Sequence, residues 1–117
     1  MDGIVIKQVT RQGAVELRLS GRLTMGNSGD FEKDVQDILH GINQPVLGLN
    51  LGGMDLIDSS GLSTLIRITN ESKKNQISTI FFGASPTILS VIRVARLNTL
   101  FTFTTTEDFE TRHPHTA

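Results

Sequence analysis

Residues 45–51 read PVLGLNL, and a second stretch, DLIDSSGL, follows at residues 55–62. The first stretch is apolar at almost every position, which is typical of a strand covered on both faces of a sheet. The second contains two aliphatic residues, Leu56 and Ile57, which are followed by an aspartate, two serines and a glycine. Apolar residues recur at helical spacing over 62–69. A buried strand is therefore predicted to be followed directly by a helix that begins at Ser59 or Ser60.

Strand and helix patterns alternate on both sides of this junction. Upstream, IVIKQV and AVELRLSG flank a turn and predict an antiparallel hairpin, and residues 27–41 have the period of an amphipathic helix. Downstream, the patterns predict a strand at 77–83, a helix at 85–97, a strand at 100–106 and a short helix at 107–113. The order ββαβαβαβα predicts the α/β class, with helices packed against a mixed sheet of four to five strands.

One domain is expected for a chain of 117 residues. We expect residues 1–117 to form this single domain, with its core at about 4–109 and a flexible tail at 110–117, where apolar residues are few. Gly48 is expected to mark a close approach to the central strand. Gly52 and Gly53 are expected to permit a tight loop, because no lysine and serine or threonine follow them as in a phosphate-binding loop.

Composition excludes several classes of function. The chain has no cysteine, so disulfides, thiolate metal sites and cysteine nucleophiles are absent. Eleven basic and twelve acidic residues give a net charge of −1 without a basic run, which argues against nucleic acid as a partner. The apolar run near the N-terminus is too short for an export signal or a membrane span. We expect a cytoplasmic protein without cofactor or metal.

The residues Asp58, Ser59 and Ser60 have a structural and a functional interpretation. An oxygen-bearing side chain at a helix start caps a free backbone N–H group, and most such serines need no further explanation. Capping, however, requires only one residue. Three in succession, followed by Gly61, leave at least one hydroxyl free at a helix N-terminus, where a phosphate group meets unpaired N–H groups and the positive end of the helix dipole.

The same residues carry a family resemblance. LIDSSGL, preceded by VLGLNL and followed by ISTIFFGASPTILSVIRVARLNTLF, resembles the STAS domain of bacterial anti-sigma factor antagonists over about residues 4–109. The resemblance implies that Ser59 is the phosphorylated serine and that the unmodified domain binds an anti-sigma factor that is also a serine kinase. Phosphorylation would end this association and a PP2C-type phosphatase would reset it. The implied role is partner switching in transcription regulation, without catalysis by this chain.

The predicted partner surface combines the turn, the outer face of the following helix and the loop after the second strand. Its residues are Asp58, Ser59, Ser60, Gly61, Ser63, Thr64, Arg67, Ile68 and Thr24. Ile68 is included because it falls about 240° around the helix from Leu62; packing of Ile68 beneath a neighbouring element is an equal alternative. Thr24 and Asn50 depart from the family pattern, which commonly has acidic residues there. The oligomeric state is left open.

Two other functions compete with this interpretation of the sequence. A serine hydrolase would need one glycine two residues before its nucleophile and another two residues after it. Neither Ser59 nor Ser60 has both. His40, His113 and His115 are scattered and do not suggest a catalytic triad or a metal site. The second rival is a STAS subunit without sigma-factor regulation, serving as an accessory or scaffold of a signalling or membrane transport complex.

Overall fold

The computed structural model describes residues 3–116. Its elements are β1 (Ile4–Arg11), β2 (Ala14–Leu23), α1 (Ser28–Gly41), β3 (Val46–Ile57), α2 (Ser59–Lys74), β4 (Ser78–Phe82), α3 (Pro86–Val94), β5 (Thr102–Phe103) and α4 (Thr106–Arg112). The strands form one sheet in chain order, with β1 antiparallel to β2 and all other neighbours parallel. The predicted ββαβαβαβα order and the mixed sheet are confirmed.

The sheet is covered on both faces because alternate residues of its central strands point to different layers. One face packs against α1, α2 and α3 and forms the main core. That core includes Leu17, Leu49 and Phe81 from the sheet and Phe31, Val35, Leu65, Ile68, Ile88 and Ile92 from the helices. The other face is covered in part by α4, whose Phe109 stacks on Phe82 with ring centroids 4.3 Å apart.

Gly48 marks the close approach that its position in β3 predicted. A Cβ atom at this position would lie 2.6 Å from Cε1 of Phe109, well inside van der Waals contact. The absent side chain leaves room for the aromatic ring of α4 directly above the central strand. Gly48 therefore determines where the last helix sits on the sheet.

The expectation of a loop at Gly52 and Gly53 is wrong. Both residues lie inside β3, which is 12 residues long and pairs with β2 well beyond them. The register moves from Arg18 opposite Asn50 to Ser20 opposite Gly53, so β3 holds one extra residue there. This is a β-bulge, which bends the strand while the pairing continues. The paired strand β2 thus overrides the local tendency of two glycines to form a turn.

The C-terminal residues were expected to form a flexible tail, and the structure places them differently. Residues 110–112 are the last residues of α4. The backbone N–H of Gln12 donates to the carbonyl of Pro114 at 3.0 Å, and Nη1 of Arg11 donates to the carbonyl of His113 at 3.0 Å. Hydrogen bonds to the β1–β2 turn, which composition does not indicate, hold this segment up to His115.

Within residues 3–116, the helices are all too short or too polar to cross a membrane. The same residues contain no cluster of three or more histidine, aspartate or glutamate side chains arranged to hold a metal ion.

Candidate functional site at the start of the second long helix

Asp58 is the N-cap of α2. Its Oδ1 accepts a hydrogen bond from the backbone N–H of Gly61 at 2.9 Å, and its Oδ2 accepts one from Met25 at 2.9 Å. These N–H groups, first that of Gly61 and then that of Met25, lower the pKa of Asp58 below its usual value, since both favour the carboxylate. The capping alternative raised by the sequence therefore applies to Asp58, which also ties the β2–α1 loop to α2.

Ser59 is the first residue of α2 and its side chain is exposed. Neither Ser59 nor the half-buried Ser60 makes a side-chain hydrogen bond to the rest of residues 3–116. Both hydroxyls are thus left without a capping function at the carboxyl end of β3, where open α/β sheets collect their functional groups.

Gly61 brings the start of α2 close to the ends of two strands. A Cβ atom on Gly61 would lie 2.8 Å from Cγ1 of Ile57 and 2.5 Å from the carbonyl oxygen of Leu23. Only glycine fits this contact without displacing backbone. Gly61 is buried, so it supports the position of Ser59 and is not itself available to a partner.

Three residues of the predicted partner surface are buried in the structure. Besides Gly61, Thr64 and Ile68 are each 0% exposed. Of the two alternatives for Ile68, packing beneath a neighbouring element is confirmed and exposure is wrong, because the buried arc of α2 is centred on Leu65 rather than on Leu62. Since α2 packs against α1 as well as the sheet, this arc is wide enough to include Ile68 and Ser72.

The other predicted residues lie at the surface or near it. Ser63 is exposed one turn after Ser59, and Thr24 is half-buried at the start of the β2–α1 loop. Arg67 is exposed, but its Nε donates to Oε1 of Glu32 at 2.8 Å. This ion pair links α2 to α1, so Arg67 has a structural contact besides any role in binding.

Sequence reasoning missed a groove beside Ser59. The groove lies between the start of α2 and α3, has a volume of about 700 Å³ and is lined mostly by apolar side chains, among them Leu62, Val91 and Val94. Val94 is 82% exposed. The signal in the sequence was the apolar pair Val91 and Val94 outside the core positions Ile88 and Ile92 of α3.

A buried charge cluster on the opposite sheet face was also missed. Arg11 and Glu16 are both almost fully buried, with Nε of Arg11 2.7 Å from Oε1 of Glu16. Oε2 of Glu16 accepts hydrogen bonds from Arg18 and Asn50, each at 3.0 Å. Burial alone would raise the pKa of Glu16, but the hydrogen bonds from Asn50, Arg11 and Arg18 and the charge of Arg11 outweigh it and lower the pKa.

This cluster gives Asn50 a structural role. The amide of Asn50 donates to Glu16, and its Oδ1 accepts from the N–H of Gly52 at 2.9 Å. An aspartate at position 50 would instead set two carboxylates against each other. The amide is therefore the side chain that fits beside a buried Glu16.

Comparisons with known proteins agree with this architecture. The structure resembles an anti-sigma factor antagonist from Mycobacterium paratuberculosis, with a TM-score of 0.82 and 20% identity over 95% of this chain and 94% of that one. It also resembles the anti-sigma factor antagonist SpoIIAA in its unphosphorylated form, with a TM-score of 0.74 and 22% identity over 94% and 95% of the two chains.

A sulfate transporter family protein from Wolinella succinogenes shares the fold as well, with a TM-score of 0.64 and 17% identity over 86% of this chain and 84% of that one. At these identities the structural likenesses establish the fold alone. The family model of the STAS domain matches residues 6–110. The chain therefore belongs to the STAS domain family.

Proposed function

We propose that this chain is an anti-sigma factor antagonist of a bacterial partner-switching pathway. In its unphosphorylated form it binds an anti-sigma factor that is also a serine kinase, and phosphorylation of Ser59 releases it. A PP2C-type phosphatase restores the binding form, and the cycle operates in the cytoplasm. The chain itself acts as a binding partner and a kinase substrate rather than an enzyme. The observation that carries the proposal is the exposed, unbonded hydroxyl of Ser59 next to a cap that Asp58 already provides.

A phosphate group at Ser59 is compatible with the folded domain. Ser59 is exposed, so modification buries no charge. It also opens a helix of 16 residues, where free N–H groups and the helix dipole favour a negative charge. The folded protein can therefore act as a kinase substrate without local unfolding.

The groove between α2 and α3 supports a specific surface for the kinase. Ser59 and Asp58 lie in its wall together with apolar side chains. Met25, which Asp58 holds through its backbone, is 79% exposed at the same edge of the sheet. We assign to the anti-sigma factor an apolar contact in this groove, with Ser59, Ser60 and Ser63 beside it.

Release then follows from local electrostatics. Phosphorylation adds about −1.5 to −2 charges beside Asp58. Against a partner carboxylate about 6 Å away, the repulsion is roughly 3 kcal/mol per unit charge at an effective dielectric of about 20, before screening by salt. Each ~1.4 kcal/mol weakens binding about tenfold, so the complex can dissociate without refolding of this domain. SpoIIAA, a Bacillus cell fate determinant, likewise has a phosphorylated form with this fold.

The second candidate is an accessory or scaffold subunit of a signalling or membrane transport complex. The structural likeness to the sulfate transporter family protein favours it. In that case Ser59 would not be a kinase substrate, and the groove would hold a transport or scaffold component.

A pull-down from the native host separates the two candidates. Wild type and Ser59→Ala are expected to capture a serine kinase of the anti-sigma type, while Ser59→Asp captures markedly less of it. Ser78→Ala is the control, since it removes an exposed hydroxyl at the start of β4, outside the predicted partner surface. Recovery of transporter subunits, or phosphate mapped by mass spectrometry to Ser60, would contradict the proposal as stated.

A further inference from the structure

A second concave surface lies on the sheet face that α1, α2 and α3 do not cover. It has a volume of about 320 Å³, and its lining includes Val5, Lys7, Arg18, Asn50, Gly52 and Gly53. We call it the β-face pocket. It is on the opposite face of the sheet from α2, so it is separate from the Ser59 site.

The bulge in β3 forms the floor of this pocket. The extra residue falls between the pairs Arg18–Asn50 and Ser20–Gly53, and both exposed glycines lie at this irregular segment. A side chain on Gly53 would meet Cβ of Ser20 at 2.7 Å. The two glycines thus leave an open depression in a strand that is otherwise continuous. Bulges are common next to binding and active sites, where they redirect neighbouring side chains.

Two cations line this depression from the adjacent strands β1 and β2. Lys7 on β1 lies directly opposite Arg18 on β2 in the antiparallel register, and both side chains line the pocket. Like charges in such positions destabilise a strand pair. The pairing therefore carries an unfavourable charge interaction that a bound anion would relieve.

The neighbouring acidic groups do not neutralise this pair. Glu16 is shared between Arg11 and Arg18, and Glu110 lies 3.6 Å from Arg11. Arg11, Arg18 and Lys7 thus carry three positive charges against two carboxylates. Lys7 itself has no carboxylate within ion-pair distance among residues 3–116. Asn50, which also lines the pocket, is neutral and adds no negative charge to it.

Arg18 is held in a suitable position for an anion. Its Nε donates to the buried carboxylate of Glu16 at 3.0 Å, while its side chain stays 38% exposed. The Nε contact fixes the guanidinium plane, and neither Nη group makes a hydrogen bond to the rest of residues 3–116. Paired Nη groups match two oxygens of a phosphate, and a nearby lysine adds a compact positive charge.

From this arrangement we propose that the β-face pocket binds a small phosphate monoester. Lys7 and Arg18 hold the phosphate oxygens over the open backbone of Gly52 and Gly53. Val5, which is 62% exposed at the rim, contacts the carbon part of the ligand. The pocket volume is at the lower end of the range for small-molecule sites, which favours a compact ligand.

The test is an amide NMR titration of the full chain with inorganic phosphate and with glycerol 3-phosphate, at constant ionic strength maintained with chloride. We expect saturable shifts at Gly52, Gly53 and their neighbours in β1 and β2, with the monoester binding more tightly. Lys7→Gln should weaken both ligands by about tenfold, because one charge-assisted contact is lost. Lys33→Gln, which removes an exposed charge from α1, should bind as wild type does.

Thermal unfolding gives an independent readout. Without phosphate, Lys7→Gln should melt at the same temperature as wild type or higher, because it removes the like-charge pair. Phosphate should raise the melting temperature of wild type and of Ser59→Ala, and should raise that of Lys7→Gln by a smaller amount at the same concentration. Equal shifts with chloride alone, unsaturable shifts, or equal phosphate affinity of Lys7→Gln and wild type would overturn the proposal. None of these results depends on the function of Ser59.

Discussion

The carboxylate of Asp58 accepts a hydrogen bond of 2.9 Å from the backbone N–H of Met25, which lies 33 residues earlier in the chain. Its other oxygen caps α2 through Gly61. One side chain thus joins two loops at the carboxyl edge of the sheet and leaves the adjacent serine hydroxyls unused. In this chain the aspartate of the DSSG turn is a structural residue, and the serine after it has an exposed hydroxyl without a side-chain hydrogen bond to the rest of residues 3–116.

Asp58→Asn is expected to destabilise the protein at neutral pH, because an amide can accept only one of the two hydrogen bonds through its oxygen. The pKa of Asp58 is lower in the folded protein than in the unfolded chain. Its contribution is therefore complete above the unfolded pKa of about 3.9 and is lost as the pH falls through the folded pKa. Urea unfolding from pH 7 to 2.5 should show the gap between variant and wild type closing below about pH 4. A gap that does not change with pH would contradict this role.

Glu16→Gln is expected to cost about 3–5 kcal/mol of unfolding free energy, because it removes the buried charge partner of Arg11 and leaves only the more exposed Glu110 at 3.6 Å. The double variant Arg11→Met with Glu16→Leu should recover most of this loss, since it removes both buried charges. Chemical denaturation of both variants measures the two losses. Asp37→Asn, on the exposed face of α1, is the control and should change stability by less than about 0.5 kcal/mol.

Gly48→Ala should destabilise the domain by about 1–3 kcal/mol, because its Cβ collides with the ring of Phe109. Gly41→Ala is the matched control, since a Cβ there meets nothing within 4 Å. The control should be neutral or slightly stabilising, as the unfolded chain loses freedom. Equal melting temperatures for the two variants would mean that α4 does not rest on Gly48.

Ile68→Ala should lower the free energy of unfolding by about 2–5 kcal/mol, as for other large-to-small changes in a core. Ser63→Ala, on the exposed face of the same helix, should have little effect. Guanidinium unfolding of both variants distinguishes a core residue from a surface residue. A loss below about 0.5 kcal/mol for Ile68→Ala would mean that Ile68 is a surface residue.

Ser59→Asp should change stability by no more than about 0.5 kcal/mol, since its charge is solvated and lies at the favourable end of α2. The contrasting variant is Ser72→Asp in the same helix. Ser72 is 0% exposed and its hydroxyl donates to the carbonyl of Ile68, so a charge there should unfold the protein. Melting curves of the two variants show whether Ser59 tolerates a negative group.

The element order and the position of Ser59 followed from the sequence because both depend on short-range features. Hydrophobic period, the apolar run of residues 45–51 and the Ser85–Pro86 helix start act within a few residues, and the structure places Ser85 as the cap of α3. Asp58 in a series of polar residues before Leu62 likewise indicated a helix start. A local pattern of this kind is almost independent of the rest of the chain.

The tertiary structure alone decided which groups are buried and which surfaces adjoin. Ile68 is a core residue because α1 packs beside α2. Gly52 and Gly53 lie in a strand because β2 pairs with β3 on both sides of them. Glu16 is almost fully buried beside Arg11, which the local pattern of β2 does not indicate. The groove beside Ser59 and the β-face pocket likewise arise between elements distant in sequence. Burial and pairing are set by these partners, which no local pattern specifies.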